Sequence, residues 1–387
     1  MGPGDAGAFD VVVVGAGFAG LAVLHLLRER GLRVRAFDAA GDVGGTWWWH
    51  AYPGSRLDTE CDLYQYSFSE SLYRDWGWSE RYPAGYEVQR WFRFVADRLD
   101  LRRDIALSTT VTAARYDDGA WTVRTDRDDT VRTPVLVTCT GRLPVEPGLG
   151  TGGFSGTVLR TASWREDGHD LAGLRVGVVG TTAAAIQLVP AVVDRVAGLT
   201  VVADRARDVV ARSNPVYGWR EREDYRARFA ELRDAQAPAP PASDRAAMRA
   251  RLGDERLAEV LVPHGGPGPV ARDSGWLEAF GRDHVRLVRS EEVARVGPTG
   301  LELTDGAATE LDVLVVTDDP DAGPPAREYL GLPARHPALF TVTASGAAPC
   351  RQLERDATRV AGAAADLVAT GPGPAAPAVP TPELQER

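Results

Sequence analysis

The chain has 387 residues, with 44 basic and 54 acidic side chains and a net charge of −10. It therefore lacks the basic surface needed to displace counterions from nucleic acid. Every cation is an arginine, which excludes a phosphate-loop lysine, a pyridoxal Schiff base and a lysine nucleophile. Three scattered cysteines (Cys61, Cys139, Cys350) and six histidines without metal spacing argue against a disulfide framework and a metal centre. No apolar run is long enough for a membrane span, so the protein is expected to be soluble, and the cysteine usage fits a reducing cytoplasm.

In chain order, Phe9–Val14 is a β-branched run of the kind that forms a strand buried on both faces. A glycine turn follows, then helical spacing over Leu21–Arg30 and a second strand at Arg33–Asp38. Leu107–Val123 reads as a hairpin turning at Asp117-Asp118-Gly119, and Val135–Thr140 as another buried strand. Leu174–Gly180 repeats the strand-plus-glycine pattern, with a helix from Ala183. This predicts an α/β fold of two dinucleotide-binding, Rossmann-like domains. The first is expected to be discontinuous, residues 1–150 and 306–370, with the strand Leu311–Thr317 bringing the chain back to it. The second is expected over 151–305, interrupted by an Ala/Pro-rich excursion at Ala235–Ser243 between amphipathic helices. The Pro/Ala-rich stretch 371–387 is expected to be a disordered tail.

Gly15-Ala16-Gly17-Phe18-Ala19-Gly20 lies between the first strand and helix, where a dinucleotide fingerprint must lie. Gly15 allows the tight turn, Gly17 lets the backbone approach a pyrophosphate, and Gly20 lets helix and strand pack closely. The helix N-terminus, opening with Phe18 and Ala19, faces the phosphates. Asp38 ends the second strand 18 residues after Gly20, where a carboxylate can bind ribose hydroxyls.

The residues that follow carry a resemblance. Gly44-Gly45-Thr46-Trp47 leads into Tyr52-Pro53-Gly54 and Asp58, then Tyr64, Tyr66-Ser67-Phe68-Ser69, Phe94–Arg98, Thr109–Thr112 and Gly141. This series resembles the Baeyer–Villiger monooxygenases, flavoenzymes that insert oxygen beside a ketone carbonyl. The resemblance implies FAD in the first domain, contacted by Gly45, Thr46, Trp47, Asp58, Tyr64, Val111 and Gly141, with the Trp47–Asp58 loop along the isoalloxazine. Trp48 and Trp49 fall outside the fixed positions and are expected to pack in the core; His50 is expected to line the loop.

The family's interdomain signature is largely kept over Phe154–Arg165, but Arg160 replaces its histidine and Arg165 its proline. An arginine is permanently charged and donor-only, unlike a neutral imidazole. The second glycine turn also departs. After Gly180 the chain reads Thr181-Thr182-Ala183-Ala184-Ala185, so a β-branched residue stands at the second glycine position and Ala185 at the third. Gln187 is retained, and Arg205 lies where the family places a cation for the 2′-phosphate of NADPH. Asp318-Asp319 replaces the glycine that ends a later strand and adds negative charge expected to repel a nucleotide phosphate. The family's Gly-Pro-Gly-Ser segment is altered at Ala344–Pro349. These departures leave the use of NADPH open.

Leu261–Pro267 matches the approach to the family's active-site arginine, which falls on Arg272. A flavin peroxide anion attacking a carbonyl, and the alkoxide so formed, would be stabilised by a fixed guanidinium in a dry site. Asp58 is expected to hold Arg272 through a charge-assisted pair; the family's neighbouring lysine is Ala271. The leading expectation is an FAD-dependent monooxygenase acting on a small organic substrate and O2, with Asp58 and Arg272 as its catalytic pair. The alternatives are an FAD enzyme that has lost NADPH and catalyses a redox-neutral cyclisation or isomerisation, and a non-catalytic flavin-binding protein.

Overall fold

The computed structural model describes residues 9–141, 149–167, 170–234, 242–266, 268, 270–318, 330, 332–333, 336–342 and 350–370. The stretches 371–387 and 344–349, Asp319, and most of the Ala/Pro-rich excursion lie outside the described residues.

The valine run Val11–Val14 is fully buried and central to a five-stranded parallel sheet, as expected of a β-branched strand covered on both faces. Its sheet order is Leu339–Thr341, Val135–Thr138, Val11–Val14, Val34–Phe37, Ile105–Ala106. Side-chain alternation divides the run between two cores. Val11 and Val13 pack with the helices Phe18–Arg28 and Cys350–Thr370, through Leu21, Leu24, Ala357 and Ala361. Val12 and Val14 face an antiparallel three-stranded sheet through Trp121 and Val123. Within that sheet Val111–Asp117 pairs with Ala120–Thr125, turning on Asp118 (φ 45°) and Gly119 (φ 76°). Positive φ at both central residues is the hairpin geometry that an Asp-Gly pair favours.

The second unit repeats the plan. Its parallel sheet runs Val285–Arg289, Gly198–Ala203, Arg175–Val179, Val313–Val316, Thr157–Arg160. One face packs on the helix Ala183–Val192, the other on the antiparallel strands Val293–Gly297, Gly300–Leu303 and Ala308–Glu310.

One expected placement is corrected. The strand within Leu311–Thr317 does not return the chain to the first domain; Val313–Val316 lies between Arg175–Val179 and Thr157–Arg160 in the second sheet. It follows the second antiparallel meander as Val135–Thr138 follows the first, and it holds the same place beside its unit's first strand. The strand that rejoins the first sheet is Leu339–Thr341, followed by the helix Cys350–Thr370.

Candidate active site

Close packing shapes the first glycine turn. Gly15 has φ +103°, and a Cβ there would lie 2.7 Å from the Cys139 carbonyl oxygen. A Cβ on Gly20 would fall 1.9 Å from the Gly15 oxygen, so helix and turn touch only because it is absent. Gly17 is the N-cap of the helix Phe18–Arg28 and makes no side-chain cap, so the first N–H groups of the helix are left for a ligand. Across from it, Gly45 (φ +55°) comes so near that its Cβ would lie 2.9 Å from the Gly17 Cα. Phe18 and Ala19 are buried beneath the turn, and Val111 is buried behind the sheet. Asp38 accepts the Ala16 N–H at 2.5 Å and the Ala40 N–H at 2.8 Å; burial raises its carboxyl pKa, opposed by those two bonds. Gly141 (φ +68°) follows the strand Val135–Thr138, with open space at its Cβ position.

The tryptophan loop follows Gly45 directly. Thr46–Trp49 is a single helical turn with exposed Thr46, and none of its residues is buried. Trp47 donates its indole N–H to the Tyr64 hydroxyl at 2.7 Å, and Tyr64 packs edge-on to Phe18. Trp48 and Trp49 were expected in the core; both are only half-buried, and the Arg165 guanidinium lies 4.3 Å from the Trp48 ring centre. Burial pushes the His50 imidazole down to about 4, opposed by the Asp318 carboxylate.

Asp58 lies where the loop meets the second unit, and here another expectation fails. Its carboxylate pairs not with Arg272 but with Arg212, whose Nη2 donates to Oδ1 at 2.7 Å. Arg272 donates Nε–H to the Asp58 backbone carbonyl at 2.8 Å, and its guanidinium lies over the Tyr82 ring at 4.3 Å. The reason is sheet register. The strands Asp208–Ala211 and Val270–Asp273 pair in parallel with Val210 opposite Arg272. Arg212, one position past the strand end, lies diagonal to Arg272, and its Nη2 reaches both the Asp58 carboxylate and the Arg272 carbonyl. Burial raises the Asp58 carboxyl pKa, and Arg212 opposes it. Arg212 was missed because no spacing or motif separates it from the other arginines.

Gln187, read as a nucleotide contact, is committed elsewhere. Its Oε1 accepts from the Tyr52 hydroxyl (2.9 Å) and Arg56 N–H (3.2 Å), and its Nε2 donates to the Arg56 carbonyl (3.1 Å) and Asp58 Oδ1 (3.2 Å). It clamps the Tyr52–Asp58 loop onto the second unit. A Cβ on Gly54 would sit 2.2 Å from the Gln187 carbonyl oxygen, so the loop backbone needs glycine there.

At the second turn, Gly180 (φ +99°) keeps the tight geometry. Thr182 is the helix N-cap, and its hydroxyl accepts from the Ala185 N–H at 3.4 Å, occupying a donor that its counterpart in the first unit leaves open. Asp204, directly after the second strand of this unit, accepts the Thr181 N–H at 3.1 Å as Asp38 accepts that of Ala16. Arg205, half exposed, has its Nε 3.8 Å from Asp204 Oδ2.

The linker departures have structural partners. Arg160 donates Nη2–H to Asp318 Oδ1 at 2.7 Å, and Asp318 also accepts the Ala162 N–H at 3.0 Å. Asp318 is therefore not a free charge repelling a phosphate; Arg160 neutralises it. Arg165 donates to the Trp48 carbonyl at 2.6 Å.

Two glycine turns with acid-tipped second strands, and an Asp58–Arg212–Arg272 cluster where the first unit's loop meets the second, define a flavoprotein with two dinucleotide-type units. The comparisons agree. Residues 13–75 match the model of the NAD(P)-binding Rossmann-like domain. The chain is 37% identical over 376 residues to an acetone monooxygenase (methyl acetate-forming) of Gordonia sp. (strain TY-5), covering 81% of this chain and 70% of that protein. It is 32% identical to a Baeyer–Villiger monooxygenase of Pseudooceanicola batsensis, covering 81% of this chain and 69% of that protein. The structure superposes on that of an oxidised steroid monooxygenase bound to NADP with a TM-score of 0.81 and 31% identity, covering 94% of this chain and 86% of that one. The chain belongs to the Baeyer–Villiger monooxygenase family and is a flavin-dependent monooxygenase. Among the described residues no helix is long and apolar enough to cross a membrane, and no cluster of His, Cys, Asp or Glu could hold a metal.

Proposed function

We propose that this protein oxygenates a small ketone or a similar carbonyl compound, with FAD in the first unit and a nicotinamide dinucleotide, NADPH in the expectation from its relatives, in the second. Support for FAD in the first unit comes from its uncapped helix N-terminus, the close approach of Gly17 and Gly45 beside it, and an acidic residue, Asp38, directly after the second strand, where a dinucleotide's ribose is bound in such units. The second unit fits a dinucleotide less openly, since the Thr182 hydroxyl takes one helix donor. When bound and reduced, the flavin supplies the electrons that turn O2 into an oxidant.

The observation that carries the reading is Arg272. Its Nε–H is fixed on the Asp58 carbonyl and its face on Tyr82, while no carboxylate among the described residues lies within ion-pair distance. A positioned guanidinium whose terminal N–H groups remain available suits a reaction that develops negative charge on oxygen. Asp58 thereby serves to hold the arginine, through its backbone rather than its side chain.

The test is to supply the FAD-loaded protein with NADPH, dioxygen carrying a heavy isotope, and a panel of ketones beginning with acetone. The expected result is an ester one oxygen heavier than its ketone, with that atom labelled. NADPH oxidation that yields only hydrogen peroxide across the panel would count against carbonyl oxygenation. Conversion of a substrate without label or reductant would favour the redox-neutral alternative.

A further inference from the structure

The cluster around Asp58 holds three arginines, and each is committed differently. Arg56 pairs with Glu80 at 3.0 Å. Arg212 pairs with Asp58 at 2.7 Å, donates Nη1–H to the Leu57 carbonyl at 2.7 Å, and donates Nη2–H to the Arg272 carbonyl at 2.9 Å. Among the described residues the Arg272 guanidinium donates to the Asp58 carbonyl and lies over the Tyr82 ring, with no carboxylate paired to it. The Arg212 side chain is 2% exposed, and its backbone N–H is bonded to the Asp273 carbonyl at 2.7 Å. It is thus anchored at both ends, with bonds to the segments that carry Asp58 and Arg272.

We infer that Arg212 is a positioning residue: it occupies the Asp58 carboxylate so that the Arg272 guanidinium stays available to the reacting oxygen. The inference rests on the oxygenation reading above and goes beyond it by assigning the carboxylate and the free cation to different arginines. A carboxylate this close to two guanidinium groups pairs with one of them through a charge-assisted hydrogen bond. If Arg212 is removed, Arg272 is the remaining candidate, and its N–H fork closes onto Asp58. Arg212 also supplies a second positive charge at a site where the chain has Ala271 and no lysine at all. The charged and titratable groups facing Asp58 are Arg212, Arg272, Arg56 and Tyr52, with Gln187 the neutral donor. Arg56 is held by Glu80 and the Tyr52 hydroxyl by Gln187, so of these groups Arg272 is the one that can turn to the carboxylate when Arg212 is gone.

The test is a charge-neutralising cycle in the FAD-loaded enzyme. Arg212→Met is expected to lower kcat for ketone oxygenation about 100-fold, the scale for losing one aligned donor at a developing oxyanion, while KM for NADPH changes by less than about threefold. Arg212→Lys restores most of the loss, because a cation again occupies the carboxylate. The double variant Asp58→Asn with Arg212→Met recovers at least about tenfold over Arg212→Met alone, because no carboxylate remains to capture Arg272. A merely structural Arg212 would leave the double variant no better than the single, and that result overturns the inference. So does an Arg212→Met enzyme within about threefold of the wild type. Should Arg212→Met fail to retain FAD, the double variant, which buries no unpaired charge, decides alone: FAD-loaded but inactive, it overturns the inference. A wild-type enzyme that oxygenates none of the ketones removes the underlying reading and this inference together, a result distinct from failure of the cycle in an active enzyme.

Discussion

The two halves of this molecule are built to one plan, yet their glycine turns have diverged. In the first, Gly15, Gly17 and Gly20 mark the turn, and Asp38 accepts the Ala16 N–H. In the second, Gly180, Thr182 and Ala185 stand at the same places, and Asp204 accepts the Thr181 N–H. The Gly15 turn leans on the Cys139 carbonyl and the Gly180 turn on the Thr317 hydroxyl, each just past the neighbouring strand of its own sheet. The frame is conserved between the halves, and the difference lies in the helix N-terminus. The first offers its N–H groups outward; the second turns a threonine hydroxyl back onto one of its own. A fold can thus keep a nucleotide unit's architecture while one side chain changes how openly it presents phosphate donors.

That contrast can be broken most severely at Gly20. Gly20→Ala places a methyl 1.9 Å from the Gly15 oxygen. It is expected to abolish FAD retention, seen as loss of flavin absorbance, whereas Ala185→Gly in the second unit should leave FAD bound. A Gly20→Ala protein that keeps stoichiometric FAD would contradict the packing described.

Next in size is the buried linker pair. Arg160→Ala strands the Asp318 carboxylate, whose side chain is 3% exposed, and should cost about 3–5 kcal/mol. Removing Asp318 as well should recover much of that in thermal or urea unfolding. If the two single losses simply add, the residues are not partners.

Smaller effects sharpen the comparison at the second turn. Thr182→Gly frees the Ala185 N–H and should tighten nicotinamide dinucleotide binding severalfold, in line with a cap worth about 1 kcal/mol; calorimetric titration would show it. Unchanged affinity would place the divergence elsewhere. Asp204→Asn should improve NADP+ binding more than NAD+ binding, because a carboxylate near the ribose opposes a 2′-phosphate. Equal gains would mean Asp204 does not face that end of the ligand.

Much of this was legible in the chain. The valine run, the glycine turns and the Asp118-Gly119 hairpin each carry a local signal, because burial on two faces and positive φ restrict residue choice at single positions. What was not legible depends on pairing at long range. Arg212 meets Asp58 across 154 positions and Arg160 meets Asp318 across 158, and an arginine among 44 carries no mark of its partner. The sheet that holds Val313–Val316 was misread because a buried apolar strand has the same character in either parallel sheet. The departures at Arg160 and Asp318 were each visible, but read singly they suggested damage. Together they form a compensating pair.

In the proposed reaction one unit holds the flavin and the other delivers a reductant to it. The most direct measurement is anaerobic addition of NADPH, then NADH, to the FAD-loaded protein while following the absorbance of oxidised flavin. Bleaching is the expected result. Persistent colour with both nucleotides, in a folded protein with FAD in place, would contradict it.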